Sequence, residues 1–487
     1  MTGGNAAATL LARHDAARAA IECDGASIAF GDLRERVSRA AAAWRSLGLQ
    51  PGQPVAVKLA DGIDWAVAWL GAVWAGGVAV GVNPRIPAAE WQAVLDEARF
   101  ALVVAESADD TPEPWRARVV PLDEARRAWD AAVPAAPLPR RAEDPALWVH
   151  SSGSSGRPKA VVHSHRTLAC IGRVSRERLG LVAGDRLLAS SRLFFTYPLV
   201  NVLLAGLSIG ATVLLDPQWP TAASFARSIE RLRPSVVFSV PTLYRALLHE
   251  GLASAMPRAG VRLCVSAGEA LSPPLRRAWG QAAGGVPMFD GYGCAETLVL
   301  VLGAAEGDGW LAPSPGVRVR PLDADAAAQG MPTRLLIEAE TLALGYHDRP
   351  AAEADTFRGR ALCPADLFAR EGHGWRFAGR EDSLVKLSGR WVDLAALEET
   401  LAAHVPGLRE AAAVCRPDAD GLDAVALYFV ADAGQADAVR TQLAGRSAGL
   451  PPHQRPAWIE SLDALPRTAT GKLMRRQLRA LGRAQAA

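Results

Sequence analysis

The stretch that most constrains the fold is residues 146–165, ALWVHSSGSSGRPKAVVHSH. A short apolar run leads into Ser151, Ser152, Gly153, Ser154, Ser155 and Gly156. Arg157, Pro158 and Lys159 follow at once, and then a second apolar run. The pattern predicts a strand, a loop and a strand. Glycines let backbone N–H groups face one point, hydroxyls add donors, and the lysine adds positive charge; together these suit a polyphosphate. The Walker A spacing is not met, so this is not a common P-loop. The competing reading is a flexible Ser/Gly linker. Against it, linkers seldom run straight into Pro-Lys and an apolar strand.

Alternation of helix and strand signals surrounds this loop. Leu33, Val37, Ala40, Trp44 and Leu47 recur at helical spacing, with Gly31-Asp32 placed to cap the start and Gly48 the end. A strand at 55–59, helices at 62–75 and 88–98 and a strand at 100–105 follow. Residues 107–144, rich in Pro, Ala and charge, read as a surface connection. After the loop, the apolar run 191–215 reads as buried helix and strand. Helix 225–232, strand then helix over 235–248, and strand then turn over 261–272 continue the cadence. Such alternation indicates an α/β fold with parallel strands. The C-terminal hundred or so residues read as a small α+β domain, with Asp393 capping a helix that turns Leu394, Leu397 and Leu401 inward.

At 487 residues the chain is long enough for roughly three domains or one large two-domain enzyme. A net charge of +2 with no long basic run argues against a nucleic-acid partner; KLMRRQLRALGR near the C-terminus is the one basic patch. The six cysteines are scattered with no CxxC pair, which reads as reduced thiols in a cytoplasmic protein. The first residues lack the pattern of a signal peptide, and no apolar run reaches membrane-spanning length uninterrupted. His163 and His165 form an HxH on one expected strand face. No third ligand sits nearby, so they read as structural rather than zinc ligands.

The 151–160 stretch resembles the phosphate loop of the adenylate-forming superfamily, which comprises acyl-CoA synthetases, luciferases and adenylation domains; Ala160 stands where that pattern has glycine. Four further motifs follow in the family's order: Gly268-Glu269-Ala270, DGYGCAE (290–296), GREDSLVKLSGRWVD (379–393) and LPRTATGKLMRRQLR (465–479). The resemblance implies a large N-terminal AMP-binding domain of layered α/β subdomains (1–379), a hinge (380–383) and a small mobile α+β lid domain (384–487). It implies ATP bound by Ser151, Ser152, Gly153, Ser154, Ser155, Gly156 and Lys159. Adenine would lie between Gly268-Glu269-Ala270 and Tyr292 of Asp290-Gly291-Tyr292-Gly293, with Asp290 on the exocyclic amine. Glu296 would be catalytic through Mg²⁺ on the phosphates, oxygen being the ligand type Mg²⁺ prefers. Asp366 would bind the ribose hydroxyls and Arg380 ribose and phosphate. Asp382 would be the pivot, Ser388 and Gly389 would line the CoA tunnel, and Lys472 would bridge the attacking carboxylate and the α-phosphate.

Residues 192–197, RLFFTY, and 388–392, SGRWV, further resemble benzoate-type CoA ligases. That implies an acyl pocket including Phe195, Tyr197, Ala267, Leu298 and Val299. Departures are Pro198 for glycine, Ala295 for threonine, Thr333-Arg334 for Gly-Glu, and Ala361–Ala365 where the family has a Thr-Gly before its Asp. The implied reaction converts an aryl carboxylic acid, benzoate or a hydroxy- or aminobenzoate, with Mg-ATP to an acyl-adenylate. CoA then takes the acyl group, releasing AMP. A carrier-protein thiol as acceptor, or a catalytically weak nucleotide-binding relative, are the alternatives. Neither membrane nor nucleic acid is implied as partner, and the oligomeric state stays open, a homodimer included.

Overall fold

The computed structural model describes residues 4–12, 14–152, 158–304, 310–372, 374–381, 384–387, 390–402, 405–418, 422–467 and 473–484. The chain divides into two compact units. The larger comprises Met1–Arg320, Leu336–Cys363 and Glu371–Arg376; the smaller comprises Pro321–Leu335, Pro364–Arg370 and Phe377–Ala487. The architecture is mixed α/β, with the large unit N-terminal and the small one C-terminal.

Two sheets organise the larger unit. Among the described residues, one runs in the order Gly345–Tyr346, Pro158–Ser164, Pro145–Ser152, Val78–Gly81, Pro54–Lys58, Leu102–Ala105, Val119–Pro121. The other runs Ala312–Pro313, Leu302–Ala304, Met288–Tyr292, Leu263–Ala267, Val236–Ser239, Arg186–Ala189, Thr212–Leu215, Ala19–Cys23, Ala26–Ala29. The central strands of the second sheet pair in parallel, so their helical crossovers lie on its faces. These strands read as unbroken apolar runs such as Val236-Val237-Phe238, buried throughout, as expected where both faces are covered.

Helix Ile63–Trp74 is apolar nearly all round and its residues from Trp65 to Trp74 are buried, as a helix with no polar face must be. Helix Phe30–Ser46 packs on it, and the Trp44 indole N–H donates to the Ala68 carbonyl at 3.3 Å. Their contact is close: a Cβ on Gly71 would stand 2.8 Å from the Ala40 Cβ. The start of the 30–46 helix differs from the sequence expectation. No side chain caps it; the carbonyls of Arg18 and Ala16 accept the N–H groups of Phe30 and Gly31 at 2.9 Å each. Gly48, at φ 92°, does end it.

Residues 107–144 are more than a surface connection. Val119–Pro121 adds an edge strand, and helix Leu122–Ala131 buries Leu122, Ala125 and Trp129. Trp129 meets Trp44 edge-on at 5.6 Å. The composition concealed this because the helix keeps a narrow apolar stripe among charged neighbours.

In the smaller unit, Leu408–Pro417 and Asp423–Ala431 pair antiparallel and Trp458–Ser461 joins in parallel. Alternate side chains feed two cores, Val425, Leu427 and Phe429 on one face, Ala426 and Tyr428 on the other. Asp393 caps helix Leu394–Ala402 as expected, its Oδ1 accepting from Ala395 and Ala396 N–H at 2.9 and 3.2 Å; Leu394, Leu397 and Leu401 are buried.

Candidate active site

Strands Pro145–Ser152 and Pro158–Ser164 run antiparallel, with Ser151 opposite Lys159 and Ser152 opposite Pro158. Gly153, Ser154, Ser155, Gly156, Asp382, Ser388, Gly389 and Lys472 lie outside the described residues, as do the side chains of Ser151 and Ser152.

The two glycine turns sit at the ends of adjacent parallel strands. Ala267 is opposite Gly291 and Ser266 opposite Asp290. Gly268 follows with φ 87°, a left-handed conformation that favours glycine. The Glu269 carboxylate accepts from both the N–H and the hydroxyl of Thr242, at 3.0 and 2.6 Å, and Ala270 is exposed. Asp290, Gly291 and Tyr292 belong to the strand itself rather than to a turn after it. Asp290 is buried and faces Arg276 at 3.3 Å; burial pushes its carboxyl up to about 6, with Arg276 pulling the other way.

Past Tyr292 the chain doubles back. Cys294 N–H donates to the Thr297 hydroxyl at 2.9 Å, Leu298 takes φ 66°, and Val301 N–H returns to the Tyr292 carbonyl at 2.8 Å. A bulky residue in the left-handed region marks a turn held by its surroundings. Leu298 and Val299 are both buried in it.

This turn is stitched to the strand that follows the Ser/Gly loop. The His163 Nε2–H donates to the Ala295 carbonyl at 2.8 Å. Tyr346, opposite Val161 on the neighbouring strand, donates its hydroxyl to Glu296 Oε1 at 2.6 Å, and its ring lies under Lys159 Nζ, 5.3 Å away. Glu296 and Lys159, from separate motifs, thus converge on one ring. Sequence reading missed Tyr346 and Arg276; the Gly-Tyr pair at 345–346 was a weak signal, since its partner lies fifty residues away in the chain.

On the other sheet face, Tyr197 donates to the Val265 carbonyl at 3.0 Å and meets Phe238 edge-on at 6.1 Å. Phe195 is half-buried against Phe194, ring centroids 4.3 Å apart. The helical run after it contains a buried π-helical turn, Leu199–Leu204. Arg192 is buried and committed: its guanidinium donates to the Asp216 and Gln218 carbonyls and lies 3.7 Å from Asp61.

In the smaller unit, the Asp366 carboxylate accepts from Arg380 at 3.3 Å, while the Ala365 carbonyl takes the Glu381 N–H at 2.8 Å. Arg334, one of the departures from the family pattern, donates to the Pro364 carbonyl at 2.9 Å. It therefore braces the segment that presents Asp366.

The histidine pair is corrected in one respect. The strand ends at Ser164, and His165 is the first residue of helix His165–Leu179, so the two do not share a strand face. His165 Nδ1 accepts the Ala6 N–H at 3.0 Å. Burial lowers both imidazoles to about 4. Between pH 6.5 and 4 the unfolded chain then binds more protons than the folded one. The histidines' contribution to stability should hold above pH 6.5 and fall as pH drops toward 4, by about 1.4 kcal/mol per pH unit per histidine, opposed over part of that range by the raised carboxyl of Asp290. Melting temperatures across pH 4–8 check this by comparison: His163→Gln should lose this component relative to the parent, and a pH profile parallel to the parent's would refute it.

Two sheets with parallel centres, two glycine turns at adjacent strand ends and a carboxylate tied to the strand after a Ser/Gly loop define an adenylate-forming enzyme. The chain belongs to the AMP-binding enzyme family, which matches residues 9–347; the AMP-binding enzyme C-terminal domain matches residues 396–472. It is 33% identical to the 3-hydroxybenzoate–CoA ligase of Aromatoleum sp. (strain CIB), over 93% of this chain and 92% of that one. It is 34% identical to the benzoate–CoA ligase of Thauera aromatica, over 94% and 91%. The crystal structure of an anthranilate CoA ligase in complex with anthranoyl-AMP superposes with a TM-score of 0.89 at 26% identity, covering 100% of this chain and 99% of that one.

Proposed function

We propose that the chain is an AMP-forming aryl acid–CoA ligase acting on benzoate or a hydroxy- or aminobenzoate. The observation that carries this reading is the meeting of Glu296 and Lys159 through Tyr346, because a phosphate-bound nucleotide needs a carboxylate for its cation and an ammonium for its charge. The relatives named for benzoate, 3-hydroxybenzoate and anthranilate support the substrate class. So does the commitment of Arg192, which leaves that guanidinium engaged with carbonyls rather than with a second substrate carboxylate.

In the first half-reaction a carboxylate oxygen attacks the α-phosphorus of ATP. The bond to the β-phosphate breaks, and pyrophosphate leaves. Ser151, Ser152, Gly153, Ser154, Ser155, Gly156 and Lys159 cradle the phosphates; Gly268, Glu269, Ala270, Asp290, Gly291, Tyr292 and Gly293 form the adenine site; Asp366 and Arg380 take the ribose. Among the described residues no three His, Cys, Asp or Glu side chains cluster as a metal cage. A Mg²⁺ here would be held by Glu296 and by the phosphates themselves, as Mg²⁺ commonly is; it would neutralise phosphate charge. The smaller domain (384–487) then turns about Asp382 within the hinge at 380–383, withdrawing Lys472 and bringing the Ser388-Gly389 loop to the tunnel. The CoA thiolate attacks the acyl carbon, and AMP leaves. Phe195, Tyr197, Ala267, Leu298 and Val299 hold the ring.

ATP–pyrophosphate exchange with a panel of benzoates tests the reading. Exchange with at least one aryl acid is expected, and none with any acid would favour a nucleotide-binding relative without catalysis. Thioester assays with CoA and with a pantetheinylated carrier protein then identify the acceptor.

A further inference from the structure

Tyr346 occupies a position no motif accounts for, yet it touches both charged groups of the phosphate site. Its backbone is fixed on either side: Leu344 N–H donates to the Val162 carbonyl at 2.8 Å and His347 N–H to the Ala160 carbonyl at 2.9 Å. The Phe357 ring meets its own edge-on at 5.7 Å. The same short segment holds Glu296 twice. Ala343 N–H donates to the Glu296 carbonyl at 2.9 Å, and the Tyr346 hydroxyl donates to its side chain at 2.6 Å. A neutral donor on a carboxylate at that distance is a strong, directional bond. A phenol hydroxyl facing a carboxylate oxygen at that distance serves it as the donor.

We propose that Tyr346 is a positioning residue of adenylate formation. Its hydroxyl fixes one Glu296 oxygen so that the other meets the cation on the phosphates, and its ring seats the Lys159 ammonium through a cation–π contact. The two roles reside on different atoms and can be separated by substitution. The proposal rests on the ATP-dependent function given above.

The experiment measures ATP affinity calorimetrically with Mg²⁺ and with EDTA, and Mn²⁺ binding to the ATP complex by EPR, in the parent, Tyr346→Phe and Tyr346→Leu. Tyr346→Phe should keep cation-free ATP affinity. It should raise the Mn²⁺ concentration for half-occupancy about tenfold, the effect of one charge-assisted hydrogen bond. Tyr346→Leu should show that defect and, in addition, weaken cation-free ATP binding about two- to fivefold through the lost cation–π contact. Unchanged Mn²⁺ binding in Tyr346→Phe overturns the proposal, even if Tyr346→Leu does not fold. Equal weakening of ATP binding by Tyr346→Phe with and without cation overturns it too, since that marks a packing role alone. A parent chain that binds no ATP refutes the functional reading itself, and this inference falls with it.

Discussion

Lys472→Ala should lower ATP–pyrophosphate exchange by about 10²–10³-fold, the size of effect seen when one preorganised charge-stabilising group is removed. Thioester formation from supplied acyl-adenylate and CoA should stay within a few-fold of the parent. In the proposed first half-reaction, negative charge moves from the substrate carboxylate onto the α-phosphate, and an ammonium between them counters it throughout. In the proposed second half-reaction AMP is the leaving group and Lys472 would already be withdrawn, so its loss should not matter. The two rates are measured separately, which gives a clear split. Equal losses in both halves would sink the two-pose scheme.

Gly293→Ala should destabilise the chain by about 1–3 kcal/mol, the usual cost of forcing extra volume into a packed site, and reduce exchange at least tenfold. A Cβ at 293 would stand 2.6 Å from the Val299 carbonyl oxygen and 3.3 Å from the Leu300 Cα. Those are backbone atoms and cannot swing aside. The turn is pinned by Thr297, by the left-handed Leu298 and by the Val301 to Tyr292 hydrogen bond. Relief must therefore shift the segment that carries Glu296. Denaturation midpoints and exchange rates decide the matter. An active, stable Gly293→Ala would show that the turn's shape does not set the Glu296 position.

Much of the fold was legible in the chain because each signal was local. The buried strand at 236–239 is a run of β-branched and aromatic residues, and Asp393 sits one residue ahead of an apolar stripe. Ordered motifs singled out Glu296 and Asp290 as candidates. What could not be read was long-range pairing. Nothing near Tyr346 names Glu296 as its partner, nothing near Asp290 names Arg276, and nothing near Arg334 names the Pro364 carbonyl. His165 was misjudged for a different reason: a polar residue at a strand end can equally open the next helix, and Ser164, which caps that helix, decided it.

The smaller unit is drawn from three separate stretches of chain, and this bears on how such proteins can be recombined. Grafting a foreign C-terminal part at residue 377 would import Arg380 but leave the host's own Asp366 and Arg334 behind. The Arg380–Asp366 ion pair would then be a hybrid of two parents, while the brace from Arg334 to the Pro364 carbonyl would stay the host's own. Exchanging 321–335 and 364–370 along with the C-terminal part keeps those partners together, and chimeras built that way should tolerate more divergent donors than single-junction ones.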